Sequence, residues 1–172
     1  MSDLVPDSYA ATLDDLKRHV HAARLEVQRK VNNELLQLWW RIGRTILDRQ
    51  AEEGWGSKVL TRLATDLRSE FPSMKGFSRA NLFYMRGFAE AWPDEASIVQ
   101  RPVGQLPWGH VIELLDKLDD QELRDWYAAK DAHHGWSRPV LQHQITTRLH
   151  EREAAAPSNF AGALDQLDSE QA

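Results

Sequence analysis

Apolar residues recur along the first third of the chain at steps of three and four: Leu13, Leu16, Val20, Ala23, Val27, Val31, Leu35, Trp39, Ile42 and Ile46. That spacing keeps side chains on one side of an α-helix, so it predicts a single long helix from Thr12 to about Glu53. Thr12 with Asp15 three positions later resembles a capping box, with an acid suited to the first turn. Some forty residues of helix span roughly 60 Å, more than one small domain needs. A second, partial stripe of Leu25, Leu36, Trp40 and Leu47 covers another face. Two uses of the helix stand open. It flanks the rest of the fold as a long core helix, or it forms a seam through which two copies pair. Gly43 leaves room for close approach of another helix, or for a bend.

Gly54-Trp55-Gly56 stops this helix, and Ser57 is suited to cap the next. Val59, Leu60, Leu63, Ala64, Leu67 and Phe71 predict its buried face, and Pro72 ends it. Ser73 to Phe77 forms a turn in which Gly76 can take a positive φ. Ser78 caps a further helix that points Leu82, Met85, Ala89 and Trp92 inward before Pro93. Residues 57–92 therefore read as a helix–turn–helix. Asp94 to Leu106, with Pro102 and Gly104, is less regular; a short helix, a loop and a small strand pair all fit, and the strand pair would make the unit winged. Pro107 to Leu118 predicts another helix. Asp119 or Asp120 caps one more, running to about His133. Gly135 ends it, Trp136 anchors the corner, and Ser137 caps a last helix through Arg152, with Pro139 in its first turn. From Ala154 onward the composition turns to that of a linker or frayed tail. The expected organisation is a leader over 1–11, a helical domain over 12–153 and a tail over 154–172. The expected fold class is all-α: a long N-terminal helix, a helix–turn–helix that is winged if the strand pair forms, and a small closing bundle.

The 172 residues suffice for one domain with a real core. An apolar fraction of 42% with 27% charged residues fits a globular chain rather than a disordered one. The seven Trp are scattered over helix ends and turns, which suits packing anchors between helices. There is no Cys, so disulfides and thiolate metal sites are excluded. No signal-peptide pattern and no membrane-length apolar run is present. A cytoplasmic protein without membrane association is the expectation.

Net charge is −5, which excludes a surface that binds phosphate everywhere. Its distribution is uneven. Ser57 to Ala91 holds six bases against three acids, whereas Trp92 to Gly135 holds four against nine. A local basic patch is what phosphate contact requires. Arg79, Phe83 and Arg86 have the i, i+4, i+7 spacing of one helix face. Two guanidiniums there can bridge phosphates or read guanine edges, and the aromatic can pack on sugar or base. Lys75, Asn81 and Tyr84 lie nearby in sequence. Arg138, Arg148 and Arg152 could extend the basic surface, although Glu151 and Glu153 offset them. The competing account of the row is a solvated face whose arginines pair with nearby acids such as Glu90.

Catalytic patterns are absent: no nucleophile elbow, no phosphate-cradling Gly loop, and acid pairs such as Asp14–Asp15 and Asp119–Asp120 that read as helix starts. His133, His134, His143 and His150 lack a carboxylate at a spacing that would close a metal site. Pro6-Asp7 with Asp15-Leu16-Lys17 matches the letters of the PD…(D/E)xK nuclease signature. That chemistry gathers its carboxylates on adjacent strands round Mg²⁺, and here the letters fall on a leader and a helix start. No cofactor and no metal is expected.

Three strings in order carry a family resemblance: GWGSKVLxRLAxDLRxEFPxMKGFSRxNLFYMR, LPWGHVIELLDKL and GWSRPVLxxQIxxRLHER. Over Leu13 to Glu153 the chain resembles the N-terminal domain of the YhcG-type nucleases. The resemblance implies a winged-helix-like or otherwise DNA-binding helical domain, placed ahead of a C-terminal PD-(D/E)xK nuclease domain. It also implies a setting near restriction–modification or mobile-element genes. The chain ends at Ala172, where the family continues into the nuclease, so nuclease activity is not carried over. Carried over position by position are Lys58, Arg62, Lys75, Arg79, Asn81, Tyr84 and Arg86 as the recognition unit. Trp108, His110, Trp136, Ser137 and Arg138 match the motifs without an assigned role. The expected function is a non-catalytic DNA-binding module, with Lys58, Arg62, Lys75, Arg79, Asn81, Phe83, Tyr84, Arg86 and Arg138 as contacts. The alternative is a protein-interaction module: a homodimer through helix 12–53, or a partner for a nuclease or restriction–modification subunit.

Overall fold

The computed structural model describes residues 6–156, and every regular element among them is helical. Helix α1 spans Tyr9–Glu53, α2 Ser57–Glu70, α3 Arg79–Ala91, α4 Ala96–Gln100, α5 Trp108–Lys117, α6 Gln121–His134 and α7 Arg138–Thr146, with a 3₁₀ turn over Pro102–Gln105. The architecture is all-α, a long N-terminal helix followed by shorter closing helices. No helix among the described residues is long and apolar enough to cross a membrane. The first five residues of the expected leader and residues 157–172 of the expected tail lie outside the described residues.

At 45 residues, α1 is about 67 Å long. It begins a turn earlier than Thr12, because the Pro6 carbonyl accepts from Tyr9 N–H at 2.9 Å and Ser8 takes the cap position. Thr12 is therefore an interior residue and closes no capping box. Gly54 ends the helix in the left-handed region and donates to the Gln50 carbonyl at 3.1 Å. Its buried positions begin only at Leu36 and continue through Trp39, Trp40, Gly43 and Ile46. The predicted stripe of Leu16, Val20, Val27 and Val31 is exposed, at 54–62%. The core thus sits on the C-terminal half of α1.

Across that half lies α3, which buries Leu82, Met85, Phe88 and Ala89. A Cβ at Gly43 would overlap the Met85 carbonyl, so glycine is what lets the two backbones come together. Trp40 Nε1 donates to the Trp92 carbonyl at 2.7 Å, and Trp92 Nε1 donates to Asp125 at 2.8 Å. These bonds tie α1, the end of α3 and α6 into one core. The tryptophans act largely as anchors: Trp39 meets Phe77 edge-on at 5.5 Å and Trp108 at 6.4 Å, and Trp108 meets Phe88 at 5.4 Å.

Helix α2 starts at Ser57 with Gly56 in the cap position, so Ser57 does not cap it. Leu60 and Ala64 are buried, but Val59 and Phe71, expected inside, are 39% and 46% exposed. The link from α2 to α3 spans residues 71–78, longer than the three or four residues of a tight helix–turn–helix corner. Phe77 pins its C-terminal end to the core, and Gly76 takes a positive φ beside the Trp39 ring. Ser78 caps α3 by accepting from Asn81 N–H at 3.1 Å.

The stretch 94–106 holds α4 and the 3₁₀ turn, with no strand, so no wing forms there. Asn33 of α1 donates to the carbonyls of Ile98 at 2.8 Å and Gly104 at 3.0 Å, and Asn32 donates to that of Leu106 at 2.8 Å. These bonds hold the stretch against α1 in its helical and 3₁₀ form. Asp120 caps α6, accepting from Glu122 and Leu123, and Gly135 ends it with φ 62°. Ser137 caps α7. The last helix does not run unbroken to Arg152: Arg148 has φ 53°, and the backbone is helical again over 149–156.

Candidate nucleic-acid interface

The residues proposed for nucleic-acid contact divide into two groups according to what their polar atoms already hold. On α3 the helical repeat places Arg79, Phe83 and Arg86 along one face. The Arg79 guanidinium lies 5.5 Å from the centre of the Phe83 ring and that of Arg86 lies 5.3 Å from it. Cation–π contact of this kind is worth about 0.5–1 kcal/mol at exposed sites, enough to hold both side chains over the ring. Neither arginine is ion-paired to a carboxylate among the described residues. Arg79 is exposed at the start of α3. Arg86 is half-buried; its Nη1 donates to Gln50 at 3.2 Å, and its Nε is buried without a partner.

Lys75, in the link, and Lys58, on α2, are exposed and unpaired among the described residues. Arg62 lies 3.7 Å from Asp66, with both side chains largely in solvent, a pair that screening makes weak. Lys58 and Arg62 line a shallow hollow with Trp55, Val59, Leu63 and Asp66. Four cations of the candidate set, Lys58, Arg62, Lys75 and Arg79, thus remain exposed on α2, the link and the start of α3, and Arg86 joins them half-buried, with one guanidinium nitrogen given to Gln50.

The other three members are committed to the fold. Asn81 donates to the Gly76 carbonyl at 2.6 Å and accepts from Trp108 Nε1 at 2.7 Å. Both ends of its amide brace the link. Tyr84 donates its hydroxyl to Asp116, whose oxygens lie 2.9 and 3.0 Å away. That hydrogen bond, with burial second, raises the phenol above its ordinary pKa. Arg138 meets the buried Glu113 at 2.9 Å, and Gln142 donates to the same oxygen at 2.7 Å. Burial alone would raise the Glu113 carboxyl; the bonds from Gln142 and Arg138 outweigh it, so the pKa falls below its usual range. Asp116 gives the Tyr84 flank of α3 a carboxylate, whereas Glu90, four residues after Arg86, follows the arginine row on the helical repeat and also borders the Tyr84–Asp116 hollow.

One polar pair was not anticipated from the sequence. His110, a motif residue without an assigned role, is buried on α5, and its Nδ1 lies 2.6 Å from Asp131 of α6. It is a contact between helices and is turned away from solvent. The only local signal was the i, i+3 placement of His110 and Glu113, which puts both on the inner face of α5. His150 is also internal, bonded to the Tyr127 hydroxyl at 2.7 Å. No group of three or more His, Asp or Glu able to hold a metal ion occurs among the described residues. The nuclease-like letters are scattered too: Asp15 pairs with Arg18 at 2.9 Å within α1.

Over residues 15–152 the chain matches the family model of the DUF1016 N-terminal domain. The match covers most of the helical region and agrees with the resemblance to the YhcG-type N-terminal domain. No curated protein and no solved structure matches the chain significantly.

Proposed function

The chain belongs to the DUF1016 N-terminal domain family, and from that premise we propose that it is a non-catalytic module that binds DNA through α2, the following link and α3. The observation that carries this reading is the pair of guanidiniums, Arg79 and Arg86, both over the Phe83 ring and without a carboxylate partner among the described residues. Arg79 stands at the first position of α3, and Lys75 lies four residues before it. Recognition helices contact base edges from their N-terminal residues. Lys58, Arg62 and Lys75 supply charge for phosphates, which positions the module without specifying sequence. Asn81 and Tyr84 are left out of the contact set because their polar groups are already bonded inside the fold, and Arg138 because its charge is paired with Glu113.

Salt-titrated binding to duplex DNA tests the reading. Lys75→Ala with Arg79→Ala removes two exposed cations outside the core. Removing one cation from a phosphate makes the plot of log affinity against log salt shallower by about 0.9. The pair should therefore weaken binding and lower the slope by nearly two. Tyr84→Phe serves as the reference and leaves both quantities unchanged. An unaltered slope in the double variant rejects the proposal. The rival reading, a module that docks on a nuclease or restriction–modification subunit, is favoured by one observation: α1 carries a long apolar face that nothing among the described residues covers.

A further inference from the structure

We infer that the uncovered face of α1 is a two-fold, antiparallel interface with a second copy of the same helix. The inference does not depend on DNA binding.

The face begins with Leu13, Leu16, Val20 and Val27 and continues through Val31, Leu38, Ile42 and Thr45. From Leu16 to Val31 these residues are 54–62% exposed, and Leu38 is 38% exposed. Around Ile42 and Thr45 the surface becomes a concavity of about 260 Å³, closed by Trp55, Leu63 and Leu67. Helices in proteins draw most of their stability from packing an amphipathic face, which this arm does not do among the described residues, and its β-branched valines lower its intrinsic helix propensity. A continuous exposed apolar surface marks an association site.

The spacing identifies the occupant. Successive positions on the face are separated by 3, 4, 7, 4, 7, 4 and 3 residues, a series that reads the same in both directions. Its midpoint is residue 29. When two copies run antiparallel about that midpoint, every position of the series meets another, apolar on apolar except where Leu13 meets Thr45. Val27 of one copy stands level with Val31 of its partner, Val20 with Leu38, Leu16 with Ile42, and Leu13 with Thr45. Each pairing occurs twice, as a two-fold axis requires. The same alignment brings Arg24 level with Glu34 of the other copy. Both are exposed, and neither is ion-paired among the described residues. A parallel alignment would place Arg24 beside Arg24 and Glu34 beside Glu34. Contact from Leu13 to Thr45 extends about 50 Å, enough to engage the twenty to thirty residues a side of a standard interface. The leucine end of each arm reaches the concavity beside Ile42 of the other, so that hollow is filled by the same operation.

Since the natural chain contains no Cys, introduced thiols report the register directly. Val20→Cys with Leu38→Cys should oxidise to a covalent dimer, whereas Val20→Cys alone should not, because residue 20 meets itself only in a parallel pair. Light scattering on the unaltered chain should give twice the monomer mass at micromolar concentration. Val27→Asp with Val31→Asp should return the monomer mass, raising the dissociation constant at least about a hundredfold by placing four carboxylates at the axis. Helicity of the domain should survive, because both positions are exposed. A monomer at every concentration tested overturns the inference and leaves the face to a different protein. Crosslinking of Val20→Cys alone overturns the antiparallel register.

Discussion

The two lengths of α1 have the same secondary structure and opposite surroundings. Residues 36–46 place Leu36, Trp39, Gly43 and Ile46 against the rest of the domain, with Leu36 fully buried. Residues 9–31 keep the helical repeat of apolar side chains, yet Val27 and Val31 remain about 60% exposed. Periodicity states that a helix has an apolar side; it does not state whether the cover comes from the same chain. In the core length, the cover is α3, admitted by a glycine. In the arm, the described residues supply none.

Substitution at matched points along the helix tests how sharp this division is. Gly43→Ala should have the largest effect, since the added methyl meets the Met85 backbone and no flexible side chain can yield. Overpacking against backbone costs about 1–3 kcal/mol and sometimes more, so denaturant melts should show a loss near the top of that range. Val27→Ala, measured at a dilution where the chain is monomeric, should change stability by less than about 0.5 kcal/mol, as surface substitutions do. Comparable losses at the two positions would mean that the arm packs against its own domain.

Asn33→Ala probes the boundary between the lengths. Its amide holds two carbonyls, those of Ile98 and Gly104, while its own oxygen accepts from Gln37 at 2.6 Å. A Cβ on Gly104 would overlap the Ile98 carbonyl, so α4 and the 3₁₀ turn are already tightly folded against each other. Unpairing part-buried carbonyls costs about 1–3 kcal/mol. The variant should lose that much stability and become protease-sensitive between residues 96 and 106. Resistance equal to that of the natural chain would show that the turn keeps its shape without α1.

The sequence was informative at many positions where the cause is local, although the Thr12 capping box and the Ser57 cap, equally local, did not form. Gly54 and Gly135 at helix ends, Ser78, Asp120 and Ser137 at helix starts, and the repeat along α1 each depend on neighbours within a turn or two. What escaped is set by residues far apart. Tyr84 reaches Asp116, Arg138 reaches Glu113, and Asn33 reaches Ile98 across 65 positions. No periodicity encodes such pairings, so a candidate set drawn from α3 and the basic motifs mixed free cations with groups already bonded in the fold. The stripe along α1 left core helix and pairing seam undivided for a related reason: burial belongs to a pair of surfaces, and the sequence displays one. The stretch 94–106, left open between helix, loop and strand pair, is a helix and a 3₁₀ turn whose carbonyls are bonded by two asparagines of a distant element.

The mildest test grades the same boundary. Asn32 makes one long-range bond, to the Leu106 carbonyl, where Asn33 makes two. If amide bonds to α4 and the following turn mark where the core begins, Asn32→Ala should cost about 1 kcal/mol, the net worth of a single hydrogen bond. Gln28→Ala, one turn earlier on the exposed arm, should cost almost nothing, because alanine is the stronger helix former and no bond is removed. The three alanine substitutions then form a series that steepens over five residues, from Gln28 through Asn32 to Asn33. A flat series would place the limit of the folded domain elsewhere on α1, and the arm available to a second copy would change in length with it. A steep one fixes that limit at the asparagines, three residues past the midpoint about which the two helices pair.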